Sequence, residues 1–106
     1  MANKKNDIIS DVVEFWKKLK SNKESLVKFV KKDGTTRLMR CTLNFKYIPK
    51  EAKPKSIDVP KILNMARKSK VIRVYDIESH GWRSIPFDKS EWLEDTDTNT
   101  RYSIKR

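Results

Sequence analysis

The spacing of apolar positions changes several times along this chain, and each change marks an element. Over residues 7–20, DIISDVVEFWKKLK, Ile8, Ile9, Val12, Val13, Trp16 and Leu19 recur at helical spacing. Asp7, Asp11 and Glu14 come early and Lys17, Lys18 and Lys20 late, an order that suits the helix dipole. The pattern predicts an amphipathic helix whose apolar stripe packs on the rest of the domain, with docking of a partner as its alternative use. Residues 25–31, SLVKFVK, and 36–43, TRLMRCTL, read as two strands. Between them lies Lys32-Asp33-Gly34-Thr35, a hairpin signal because glycine accepts positive φ. Met39, Cys41 and Leu43 alternate with Leu38, Arg40 and Thr42, and the first set is the candidate core face.

Residues 44–57 hold Pro49 and Pro54 and read as a long loop. A short helix is predicted over 58–68, with Asp58 as cap, Pro60 in the first turn, and Ile62, Leu63, Met65 and Ala66 as a partial stripe. Residues 70–77, KVIRVYDI, are the clearest strand; Ser79-His80-Gly81 turns the chain, and 82–88 return as a second strand. Pro86 cannot donate to a ladder, so that strand is expected at a sheet edge or a bend. Residues 90–93, SEWL, extend the sheet, whereas 94–106 read as a polar tail, partly mobile, with a weak strand signal in RYSI. The expectation is an α+β, mainly β domain. Residues 1–24 supply a packed N-terminal helix, 25–93 a strongly bent antiparallel sheet with a short inserted helix, and 94–106 the tail.

Composition narrows the class. The chain has 106 residues, room for one domain, and a net charge of +11. The charge is uneven: residues 25–88 carry fifteen basic and six acidic side chains, net +9, while 1–24 are net +2 and 89–106 are neutral. A folded segment this basic points to a polyanionic partner. Cys41 is the single cysteine, so no intramolecular disulfide can form, and a reducing cytoplasm is expected. No apolar run reaches the ~18 residues of a membrane span, and no secretory signal is recognised.

Motifs for catalysis are missing. With Gly34 and Gly81 as its two glycines, the chain can form neither a P-loop nor a dinucleotide loop. One cysteine and one histidine cannot build a structural zinc site by themselves. Cys41 lies within an alternating strand and reads as a buried structural thiol; His80 reads as a turn residue. Asp95 and Asp97 lack the rest of a calcium loop. No enzymatic activity and no cofactor are expected.

Strand parity places Arg40, Thr42, Arg73 and Tyr75 opposite the core face. Arg83 shares the parity of Ile85, so it points inward or sits at the strand end. Cations neutralise phosphates and an exposed ring offers a stacking platform, the combination that single-stranded nucleic acid requires. The candidate binding set is therefore Lys28, Arg37, Arg40, Arg73 and Arg83, with Tyr75 or Trp82 stacking. Further cations surround it: Lys31 and Lys32 in the first hairpin, Lys46, Lys50, Lys53 and Lys55 in the loop, and Lys61, Arg67, Lys68 and Lys70 about the short helix.

The segments DGTTRLMRCTL at 33–43 and KVIRVYDIESHGWRSIPFD at 70–88 resemble a family of small phage-encoded proteins, the WYL-related domains with an Sm-like, SH3-type barrel. Met39-Arg40-Cys41-Thr42-Leu43, Val74-Tyr75-Asp76 and Gly81-Trp82-Arg83-Ser84 carry the resemblance, which covers roughly residues 25–93. It implies a small β-barrel, a phage origin and action in a bacterial host cytoplasm. Related WYL domains are regarded as sensors of nucleic acids or other anionic ligands; the Trp-Tyr-Leu triplet itself is absent here. The expected function is that of a phage accessory protein binding nucleic acid, single-stranded DNA or RNA being favoured. The alternative is a host-takeover or anti-defence protein that binds a bacterial protein, with Phe15 and Trp16 of the first helix as the docking element.

Overall fold

A computed structural model describes residues 8–54 and 56–105. The chain runs β1 (Ile8–Ile9), α1 (Val12–Ser21), β2 (Ser25–Val30), β3 (Thr36–Thr42), α2 (Val59–Ser69), β4 (Val71–Asp76), β5 (Gly81–Pro86), β6 (Ser90–Asp95) and β7 (Thr100–Ile104). Short 3-10 turns at Phe45–Tyr47, Lys50–Ala52 and Phe87–Lys89 fill the connections. The seven strands form one sheet in the order β1-β7-β6-β2-β3-β4-β5, antiparallel except for the β1–β7 pair. Its hydrogen-bonded ladder is open, ending at β1 and β5. Ile9 and Ile104 from one end nevertheless share a core with Ile85 from the other, so the sheet coils round its apolar face.

The first helix is shorter than its apolar stripe suggests. Asp11 caps it by accepting a hydrogen bond from the Glu14 backbone at 2.9 Å, and Glu14 accepts one from the Ser10 backbone at 3.0 Å. That cap fixes the start at Val12 and frees Ile8–Ile9, a β-branched pair, to join β7. Asp7 lies outside the described residues. Val12, Phe15 and Leu19 are the buried face of α1, and the Phe15 ring meets Phe87 at 5.6 Å between centroids. Phe15 is therefore a core residue and cannot dock a partner.

Both predicted hairpins form. Gly34 takes φ +89° in the β2–β3 turn, where the Asp33 carboxylate accepts from the Thr35 backbone and hydroxyl. Met39, Cys41 and Leu43 are buried as alternation required. Strand β5 is an edge, and Pro86 ends it. The polar C-terminus behaves differently from a tail. Glu94 and Asp95 complete β6, which pairs with β2 in the middle of the sheet, and residues 100–104 form β7. Asn99 adopts φ 57° in the intervening turn, and Leu93 and Ile104 bury their side chains. The segment looked mobile because each strand turns a polar face to solvent, leaving few apolar residues to read.

Candidate functional site

The candidate residues divide into three groups. Lys28, Arg37 and Arg40 lie on β2 and β3 and each meets a carboxylate. Lys28 is 3.7 Å from Glu91, and both nitrogens on one side of the Arg40 guanidinium reach Glu24, the shorter contact being 2.6 Å. Arg37 has the parity of Met39 and Cys41 and reaches Asp76 at 2.6 Å. The Asp76 side chain is fully enclosed. Burial alone would raise its carboxyl, but hydrogen bonds from Ser79, the Arg37 charge and the Glu78 backbone N–H together hold it below the ordinary carboxylate range. Arg37 therefore satisfies a buried acid, a structural duty that the sequence did not reveal.

The two aromatic candidates are also engaged. Tyr75 is only 4% exposed, which corrects its assignment to an open face. Its parity is as predicted, since Tyr75 and Thr42 are register partners on the side away from Val74. Both are buried, and the Tyr47 and Pro49 portion of the 44–57 segment lies beside Tyr75. Trp82 donates its indole N–H to the Ala52 carbonyl at 2.9 Å and stands edge-on to Tyr75, with 6.0 Å between centroids. Tyr75 has no free face; Trp82 is half-buried and borders a groove.

Arg73 and Arg83 remain. Both are exposed on the β4–β5 hairpin, and neither has an acidic partner among the described residues. Register pairs Arg73 with Ser84 and Arg83 with Val74, so they stand on opposite faces. The open question of Arg83 resolves in favour of exposure: its guanidinium folds back onto the Trp82 carbonyl at 2.9 Å. Immediately before them, α2 is capped by Asp58 as predicted and exposes Lys61, Arg67 and Lys68, followed by Lys70 at φ 58°. These cations join Arg73 in a run from Val59 to Tyr75 that holds no Asp or Glu. Lys55 lies outside the described residues.

The helix dipole explains part of this: Arg67 and Lys68 sit in the last turn, where positive charge is favoured. It does not explain the accumulation of five cations on consecutive elements. At the other end of the sheet, β6, β7 and their turn carry Glu91, Glu94, Asp95 and Asp97. The molecule is thus electrically polar across its sheet, with the basic pole on α2, β4 and β5.

The one thiol of the chain is closed off. Cys41 is buried, and desolvation, reinforced by the charges of Asp76 and Glu24, pushes its thiol up, so it has no access to solvent and no drive to form a thiolate. Among the described residues no cluster of three His, Cys, Asp or Glu side chains is arranged to hold a metal. No helix among them is long and apolar enough to cross a membrane.

A coiled sheet of short antiparallel strands with a helix packed in its apolar face defines a small β-rich domain of the Sm-like SH3 class. The chain belongs to the WYL_2 family, described as having an Sm-like SH3 beta-barrel fold, which matches residues 12–89. The match begins at the first residue of α1, so the helix is part of the family's domain, where the resemblance read from the sequence began at residue 25. Comparison with curated proteins finds no match, and neither does comparison with solved structures.

Proposed function

We propose that this protein binds nucleic acid through backbone phosphates, using Lys61, Arg67, Lys68, Lys70 and Arg73, with Arg83 reaching from the opposite face of the edge hairpin. The observation that supports this most is the acid-free run from Val59 to Tyr75. Its five cations are all exposed and have no acidic partner among the described residues. Phosphate contact releases condensed counterions and needs no particular side-chain geometry. Tyr75 is buried, and Trp82, tied to Ala52, turns toward an aliphatic groove, so base stacking and the preference for single strands are not part of this proposal. The setting proposed with this reading, from the sequence resemblance, is a phage-infected bacterial cytoplasm.

Labelled single-stranded DNA, duplex DNA and RNA titrated across a salt series test the reading. Six phosphate contacts predict a slope of log K against log salt of about −5 on duplex and about −4 on single strands. Arg67→Gln/Lys68→Gln/Arg73→Gln should flatten the slope by about 3 on duplex. Weak binding to all three polymers at low salt would refute the proposal and favour the alternative partner, an acidic bacterial protein steered by the same charges.

A further inference from the structure

Ile62 and Met65, part of the partial apolar stripe of α2, are 39% and 59% exposed. They line a groove of about 640 Å³ between α1, α2, Pro54, Ser56 and Ile57, and the β4–β5 hairpin. Trp16, Ala66, Ile72 and Trp82 contribute further apolar surface. The volume falls within the ~300–1,000 Å³ of small-molecule sites, which are mostly apolar with a few placed polar groups.

Among the described residues the only charged side chains lining this groove are Lys20 and Arg73, and no carboxylate lines it. The Lys20 ammonium lies 4.5 Å from the centroid of the Phe45 ring, which also borders the groove, and has no acidic partner among the described residues. Nucleobases fit this lining poorly. Their polar edges would be desolvated against Ile, Leu, Met and Trp, the Trp82 N–H is already spent on Ala52, and three serines are the remaining polar side chains. An occupant needs an apolar body and a single anionic head.

We propose that the groove binds a medium-chain fatty acid, with its acyl chain against Trp16, Ile62, Met65 and Trp82 and its carboxylate at Lys20 and Arg73. The guanidinium fork of Arg73 matches a carboxylate, and the flexible Met65 side chain adapts to an aliphatic chain. The groove lies within the same stretch of chain as the phosphate-binding cations but shares only Arg73 with them, and decanoate and nucleic-acid titrations are read separately, so either proposal can fail alone.

Calorimetric titration of the full-length protein with decanoate, and in parallel with decanol, tests it, with tryptophan emission as a second readout. Saturable one-to-one decanoate binding is expected in the micromolar range. Met65→Glu and Ile62→Glu, both at exposed positions, should weaken it about tenfold or more. Lys20→Gln/Arg73→Gln should weaken decanoate about tenfold while leaving decanol unchanged. Absence of saturable decanoate binding would overturn the proposal and point instead to the apolar face of another protein's helix as the occupant. So would binding that survives both glutamate substitutions. Equal affinity for decanol and decanoate would overturn the assignment of an anion.

Discussion

Asp76 shows what a single buried charge does in so small a core. It accepts hydrogen bonds from Arg37 and from the Glu78 and Ser79 backbone, and these outweigh the burial that opposes its ionisation. Its carboxyl titrates lower in the folded state than in the unfolded chain. The stabilisation is therefore complete above the ordinary carboxylate value of ~3.9 and disappears as pH falls through the folded value. Asp76→Asn should cost about 2 kcal/mol at neutral pH, and the gap to the parent protein should close below about pH 4. Urea denaturation of both proteins at several pH values measures this. Phe15→Ala should cost about 3–5 kcal/mol at any pH, because it leaves a cavity against Phe87 without removing a charge. The same two residues mark where sequence reading stops. Alternation correctly gave Met39, Cys41 and Leu43 to the core. Nothing local shows that Arg37, on the same side of its strand, will reach across 39 residues to an acid.

Elements with strong local chemistry were legible: the Asp-Gly hairpin, the Asp58-capped α2 and the edge strand ended by Pro86. β1 escaped and β7 gave only a weak signal in RYSI; both are short or polar and are held by pairing with each other and with β6. A two-residue strand has no period to detect. The Asp-Thr-Asn-Thr turn before β7 was the available clue, since Asn tolerates the left-handed φ that Asn99 adopts. If β7 is integral, Ile104→Ala should destabilise the protein by about 2–3 kcal/mol, whereas a mobile tail would give almost no change. Thermal melts followed by circular dichroism distinguish the two. The 44–57 segment escaped for another reason. Trp82, Tyr75 and Thr42 are hidden beneath or beside it, and no strand-parity rule says whether a loop will lie over a face.

For the whole molecule, the net charge matters less than its polarity. Ion pairs engage Lys28, Arg37, Arg40 and Arg101, whereas the cations of α2, β4 and β5 have no acidic partner among the described residues. Charge reversal there, as in Lys68→Glu/Lys70→Glu, should abolish nucleic-acid binding at physiological salt, whereas Lys28→Glu, at a cation already paired with Glu91, should reduce it only slightly. Gel shifts at fixed salt compare the two. The composition disclosed the charge but not its sorting, because the acids that quench Lys28, Arg37 and Arg40 come from distant positions in the chain.

Beside β7, β1 also brings residues 8–9 and 103–105 together, with Lys105 donating to the Ile9 carbonyl at 2.8 Å. Between Ile8 and Lys105 the described backbone comes nearly full circle. With residues 8 and 105 joined by a short linker, new ends cut at the exposed Asp33–Gly34 turn would leave every strand pair among these residues in place. Such a circular permutant would carry its ends at the β2–β3 turn, so a fused reporter could be moved from one edge of the sheet to a central hairpin without altering either proposed binding surface.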